Sequence, residues 1–380
     1  MTEKVSVLLA LPVNTVEDTA VQDTLRGIAS QTYPASLIEI MQIQYAPDVP
    51  GAYTSALNAA RDEATGAFII PVSPGVIWDA NKVAQQVQRL QPNPAAGVCV
   101  HRMTARSSSG KTRSFGLQKM RAYGPEIGCL LGPPWGPSAA MFPKEVATRV
   151  GAYRNVEETL WEYAVRLVHK GHALDLLDED LAVWHTDLLR PSDRRPLLPS
   201  RIRYLFLKSY LDRIPAEALF SMKHLASETY GRLVLAGLHQ HNDDLDASHV
   251  LCQEMEKDAD SVGASYWHGT VHRREPDFDN ARYWFRKAGD FPALAEVSGE
   301  VISLLQRVLQ VPDYGQAREA ALQLLRRLQE NGIWDALYFT DLCETCAGRG
   351  TPEDRRLLEE IQEVEFNAVF DWTYRMAIRS

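Results

Sequence analysis

Between Lys4 and His185 the chain alternates short apolar runs with segments of helical period, and past about Leu197 that alternation stops. The apolar runs are VSVLLAL, IEIMQIQ, AFIIPV and AAGVCV, and between them stand DTAVQDTLRGIASQ, YTSALNAARDEATG and ANKVAQQVQRL. Strand-length runs spaced by single helices predict an α/β layer, Rossmann-like, with a mainly parallel sheet. Ligands on such sheets sit beyond the carboxyl ends of the strands. That rule gathers Pro12 to Asn14, Gln44 to Asp48 and Ser73 to Gly75 around one crevice.

The second half reads differently. RIRYLFLKSYLDRI, VISLLQRVLQ and REAALQLLRRLQ place apolar residues at three- and four-residue steps, which predicts an all-α domain. Between the two lies WHTDLLRPSDRRPLLPS, from Trp184 to Ser200, dense in Pro, Arg and Ser. A chain of 380 residues is long for one core. The expected division is an α/β domain over 1–190, a linker over 191–200 and a helical domain over 201–380.

Composition narrows the function classes. A formal net charge of −9 disfavours nonspecific binding to phosphate backbones, so nucleic acid is not an expected partner. The run Val5 to Val13 is too short to span a bilayer and contains Pro12, so a cytoplasmic protein without a membrane span is expected. Five scattered cysteines do not form a secreted disulfide pattern. Cys343 and Cys346 make a lone CxxC, which reads more simply as two small apolar residues on a helix.

The order of pieces from Val5 to His185 resembles the nucleotide-sugar glycosyltransferases of the GT-A fold, in particular the family-2 group. VSVLLALPVN is similar to that family's first strand and loop, TLRGIASQTYP to its first helix, and IEIMQIQ to its second strand. Asn58 and Gly66, in NAARDEATGAFIIPV, stand at the spacing of the family's Asn and Gly before the metal-site strand. SAAMFPKEVATRVGAYRN and WEYAVRLVHKGHALDLLDEDLAVWH resemble its acceptor-side strand and its final helix and strand. The resemblance covers about half the chain and implies a nucleotide-sugar or glycan ligand, with Pro12, Asn14, Asp48, Asn58 and Ser73 at the nucleotide.

The departures fall on the chemistry. Where the family has an Asp-Asp-Gly-Ser turn, this chain reads Gln44, Tyr45, Ala46, Pro47, Asp48; where it has the metal-binding Asp-x-Asp, this chain reads Ser73, Pro74, Gly75. Without those acids the usual divalent cation has no carboxylates to hold it there, and fixed side chains must stabilise a departing diphosphate instead. TARSSSGKTRSFGLQKMRAYG offers Arg106, Lys111, Arg113, Lys119 and Arg121, of which Lys111 and Arg113 are the candidates for the phosphates. The family's catalytic base aligns with Thr159 or Leu160, close to Glu157 and Glu158, which are the expected catalytic residues. His185 falls where some relatives carry a late metal-ligating His. Two readings stay open: a metal-independent transferase, or an inactive domain that keeps the binding shape.

The helical half raises an alternative. Five of the ten histidines lie between His239 and His272. His268, His272 and Glu275 share one face of a helix, and His239, Asp243, Asp246 and His249 offer a second set, so His239, His249, His268, His272 and Glu275 are candidate metal ligands. Gly269, Ala281, Phe285 and Ala288 also match the small and aromatic spacing of a tetratricopeptide repeat, which would make the histidines a polar network within a helix pair and the domain a surface for a protein partner. A third use of the region is an anion or peptide site on Arg273 and Arg274. YWHGTVHRREPDFDNARYWFRKAGDFP is similar to segments of uncharacterised bacterial and fungal proteins, which implies no activity.

Overall fold

The computed structural model describes residues 3–92, 97–108, 110, 112–115, 117–186, 195–221, 223–257, 261–310 and 317–379. The chain separates into two compact units, Met1–Ser192 and Asp193–Ser380. The first is α/β and the second all-α, the fold class expected from the change in periodicity.

In the first unit the strands β1 (Val5–Pro12), β2 (Ile38–Tyr45) and β3 (Phe68–Val72) alternate with helices α1 (Thr19–Ala29) and α2 (Ala52–Glu63). Then follow β4 (Val76–Trp78), α3 (Lys82–Leu90), β5 (Val98–Arg106), β6 (Thr112–Phe115), α4 (Gln118–Tyr123), α5 (Pro125–Gly128), β7 (Ala140–Pro143), α6 (Lys144–Val150), α7 (Thr159–His169) and β8 (Leu174–His185). The strand order is β2-β1-β3-β7-β5-β8-β4, with β6 on β5. β1 lies between β2 and β3 and is parallel to both. This central position explains its unbroken apolar run: Val5, Val7, Leu8, Leu9 and Leu11 are all fully buried.

The sheet is mixed rather than mainly parallel. β7 is antiparallel to β3 and to β5, β4 is antiparallel to β8, and only β5 and β8 repeat the parallel pairing of the first strands. Helix periodicity between successive runs announces the crossovers that parallel strands need. It says nothing about a later strand entering from the opposite direction, which is what β7 does.

The second unit contains α8 (Leu205–Leu211), α9 (Glu228–His241), α10 (Leu245–Met255), α11 (Ser261–Arg274), α12 (Phe278–Ala288), α13 (Leu294–Val308), α14 (Ala317–Asn331), α15 (Ala336–Arg349) and α16 (Pro352–Ile378). Among the described residues no helix is long and apolar enough to cross a membrane. α16 begins with a capping box in which the Thr351 side chain and the Asp354 side chain bond each other's backbone N–H, with Pro352 in the first turn. Arg195 and Leu197, from the Pro- and Arg-rich segment read as a linker, are 1% and 2% exposed and belong to this unit's core.

The core of the second unit contains charge. Arg273 on α11 pairs with Glu365 on α16 through both Nη atoms, and Glu365 Oε1 also accepts from the Tyr266 hydroxyl at 2.7 Å and Trp334 Nε1 at 3.1 Å. Arg274 pairs with Asp243 and donates to the Gln240 carbonyl at 2.9 Å. These carboxylates pair the charges of the two arginines that offered an anion site in the sequence, while the Nε of each is buried without a hydrogen-bond partner. Gly269 lets α11 close on α12, since a Cβ there would stand 2.8 Å from the Phe285 ring.

Candidate functional site

The carboxyl ends of β1, β2 and β3 meet at one rim of the first unit. Pro12 ends β1, and its carbonyl accepts from the Thr15 hydroxyl at 2.7 Å, forming a tight turn in which Asn14 is exposed with φ of +65°. Val13 N donates to the Tyr45 carbonyl at 2.9 Å, which ties the β1 turn to the end of β2. Asp48 follows in an exposed turn. The Tyr45 ring meets the Tyr53 ring edge-on, centroids 5.5 Å apart.

Tyr53, in the first turn of α2, connects three candidate pieces. Burial first, then the neighbouring Tyr45, raises its pKa above the ordinary phenol range, against a smaller lowering by the nearby Ser73 side chain. The Glu158 carboxylate is near enough to add to that rise. Thr159 Oγ1, at the start of α7, lies 3.3 Å from Thr54 Oγ1, so the first turns of α2 and α7 are joined and Glu158 is held at the same rim. Glu157, one residue earlier, is exposed. Sequence reasoning did not single out Tyr53, and its only signal was an aromatic residue beside the second strand's final tyrosine.

The Ser73-Pro74-Gly75 turn is braced by the end of β8. His185 N donates to the Gly75 carbonyl at 2.8 Å, and Trp184 Nε1 donates to the Pro74 carbonyl at 3.1 Å. Gly75 has φ of +83°, and a Cβ built there would stand 2.3 Å from the His185 carbonyl oxygen. Position 75 therefore excludes any side chain, carboxylates included. A divalent cation of the kind implied by the resemblance does not fit this turn: Ser73 offers one hydroxyl, Pro74 none, and Gly75 has no room for a ligand.

The basic groups divide. Lys111 lies outside the described residues. Arg113 on β6 is exposed, with its guanidinium 5.1 Å from the Phe115 ring centroid. Lys119 donates to the Leu131 carbonyl at 2.6 Å, and Arg121 lies 3.2 Å from Asp178. Arg106, exposed at the end of β5, is in parallel register with His185 and so stands next to the braced turn.

Asn58 is occupied elsewhere. Its Oδ1 accepts from Tyr153 N at 2.8 Å and its Nδ2 donates to the Tyr153 carbonyl at 2.9 Å. This two-way clamp ties α2 to the segment before α7. The side chain expected at the nucleotide instead helps to position Glu158.

In the second unit the five metal candidates separate. His249, His268 and His272 come together, with one potential ligand atom of each within 4.8 Å of the others. His239 goes to another place: its Nδ1 lies 3.1 Å from Asp244 Oδ2, which also takes Lys208 Nζ at 2.9 Å, and Asp212 completes that group. The helical spacing read across 239–249 is interrupted because α9 ends at His241 and Asp243 takes φ of +60°. Glu275 is beside one histidine, its Oε2 3.2 Å from His272 Nδ1. Burial first, and then His249, His272 and Lys287, push His268 down to about 3.

No protein-family model matches the chain, and no curated protein matches it. Among solved structures, S. aureus TarS is similar at 11% identity over 74% of this chain and 55% of that one, with a TM-score of 0.46. S. aureus TarS 1-349 in complex with UDP is 11% identical over 92% of both chains, with a TM-score of 0.39. The mannosyltransferase PcManGT from Pyrobaculum calidifontis, in complex with GDP-Man and Mn2+, is 14% identical over 86% of this chain and 87% of that one, with a TM-score of 0.40. The chain spans about half the length of the first of these.

Proposed function

We propose that the first unit is a glycosyltransferase-like domain that binds a nucleoside diphosphate sugar at the rim formed by β1, β2 and β3, without a divalent cation at the Ser73-Pro74-Gly75 turn. The observation that supports this best is the Thr54–Thr159 contact, which holds Glu158 beside the first turn of α2 at the carboxyl ends of the parallel strands. A carboxylate facing a strand-end crevice is placed to take a proton from an acceptor hydroxyl. Tyr45 offers an aromatic face for a base, and the β1 turn at Pro12 and Asn14 borders the same opening.

The diphosphate is assigned to exposed cations instead of a metal. Arg106, in register with His185 beside the turn, and Arg113 on the adjoining strand supply positive charge on the β5–β6 side. Guanidinium groups suit this because they present several donors in a plane to phosphate oxygens. Glu158 is the assigned base; Glu157 is the neighbouring alternative. Asp48, exposed after β2, is left to the ribose or base.

The test is thermal melting of the full chain with UDP, GDP and their sugars, each with Mn2+ and with EDTA. A nucleotide-dependent rise of the same size in both conditions is expected. No rise with any nucleotide removes the binding reading, and a rise confined to Mn2+ removes the cation-free one. Sugar-nucleotide hydrolysis lost in Glu158→Gln but kept in Glu157→Gln assigns the base. Binding without hydrolysis in the parent protein identifies an inactive binding domain.

A further inference from the structure

The second unit holds a group of side chains that the proposed sugar site does not use. His249 projects from α10, and His268 and His272 from α11, where their four-residue spacing puts them on one face. The three rings converge: His249 is edge-on to His268 with centroids 4.5 Å apart and to His272 at 5.1 Å, while His268 and His272 stack at 4.7 Å. The opposite face of His268 is covered by the Trp284 ring at 4.0 Å.

The hydrogen-bond inventory around these rings is incomplete. Glu256 Oε1 lies 2.6 Å from His268 Nδ1 and accepts its proton, which leaves Nε2 as a bare lone pair. That Nε2 is buried and has no hydrogen-bond partner, and neither does the buried His272 Nδ1. His268 is 2% exposed and His272 6%. The Asn280 amide nitrogen lies 3.1 Å from His272 Nε2 and donates to Asp277 Oδ2 at 3.3 Å, so an ion at His272 takes the place of the proton on Nδ1 as it binds. Glu275 Oε2 and Asp277 Oδ2 lie 3.2 and 3.8 Å from that Nδ1 and add negative charge at the rim. A buried imidazole nitrogen with no partner, within 4.8 Å of a ligand atom on each of two further histidines and close to carboxylates, suits a cation.

We propose that His249, His268 and His272 form a binding site for a divalent transition ion of the Zn2+ class, with Glu256 as the positioning residue for His268. Imidazole ligands select Zn2+, Co2+, Ni2+ or Cu2+ over Mg2+ and Ca2+. Bonds of about 2.0–2.1 Å in a tetrahedron put ligand nitrogens about 3.4 Å apart. The observed separations, up to 4.8 Å, therefore close by up to about 1.4 Å on loading, which χ rotations supply. Three histidines leave the fourth position for water or a ligand. The carboxylate on the far nitrogen of His268 is the arrangement that fixes a metal-bound imidazole's tautomer and raises its basicity.

The experiment uses the full chain, stripped with a chelator and titrated with Co2+ and then Zn2+. One equivalent of Co2+ is expected, with the visible bands of a tetrahedral ion, displaced by Zn2+. His249→Ala, at a half-buried position that leaves the helix packing intact, weakens binding more than about 100-fold, and Glu256→Gln weakens it about 10- to 100-fold. His239→Gln leaves it unchanged. Absence of saturable Co2+ or Zn2+ binding by the parent chain overturns the proposal. So does binding that survives His249→Ala or is lost with His239→Gln, since either places the ion elsewhere.

Discussion

The two candidate sites are built by opposite means. At the rim of the first unit the backbone does the positioning: the Ser73-Pro74-Gly75 turn is held by carbonyl and amide contacts to β8, and the functional side chains stand outside that frame. In the second unit side chains do it: the three histidines lie on helices whose core is tied by Arg273–Glu365 and Arg274–Asp243. A backbone frame tolerates changes of charge but not of volume. A frame of buried ion pairs does not tolerate the loss of a charge.

The sharpest way to break that contrast is Glu365→Gln. The variant keeps the shape but leaves Arg273 buried and charged with no counter-ion, and it weakens the bonds from Tyr266 and Trp334. Removing one partner of a buried pair costs about 3–5 kcal/mol. Urea unfolding followed by helix signal is expected to show a loss of this size. A loss below about 1 kcal/mol would mean that the second unit does not depend on its ion pairs.

Gly75→Ala is the matching test of the first unit. Left-handed backbone at a residue with a Cβ costs about 1–3 kcal/mol, and the contact with the His185 carbonyl adds to it. A lower melting temperature is expected together with loss of any nucleotide-induced shift, because the turn must move away from β8. An unchanged melting temperature would show that the turn is not braced as described.

What the sequence made legible follows the range of the interactions. The strand–helix alternation of β1 to β3 and the switch to an all-α half are local periodicities, and both are present. The antiparallel entry of β7 beside β3 depends on pairing Phe68 with Pro143, far apart in the chain, and no local pattern encodes it. Asn58 shows the limit of resemblance, since the residue expected at the nucleotide has both ends of its amide taken by the Tyr153 backbone. The histidines show the limit of helical spacing: His268 and His272 share a face as expected, but a chain reversal at Asn242 to Asp244 sends His239 and His249 to different helices. Glu256, twelve positions before His268, gave no sign of its role.

Lys82 extends the comparison to pH. It is fully buried in the first unit, and its Nζ donates to the neutral Gln86 amide at 2.7 Å and sits 4.2 Å from the Trp78 ring centroid. Burial pushes this ammonium down to about 7, whereas in the unfolded chain it stays near the ordinary lysine value. Between those two values the unfolded state binds more protons, so stability rises with pH, by at most about 1.4 kcal/mol per unit. The melting temperature of the parent chain should therefore climb between pH 7 and about 9.5 relative to Lys82→Met, which lacks the titrating group. Parallel curves for the two proteins would mean that Lys82 reaches solvent.

The smallest effect is expected from returning one carboxylate to the turn. Ser73 can carry an aspartate, since it is half-buried at the rim, but Gly75 cannot, so a second acid cannot be restored at the position the resemblance implies. A lone carboxylate binds Mn2+ only weakly, and an ion present at its own dissociation constant stabilises by about 0.4 kcal/mol. For a unit of this size that is about 1 °C. Ser73→Asp should therefore gain a Mn2+-dependent increment of about 1 °C in the nucleotide-bound melting temperature, with none in the parent chain. An increment of several degrees would reveal further ligands at the rim, with His185 as the nearest candidate; its appearance in the parent chain would show that the turn binds a cation without carboxylates.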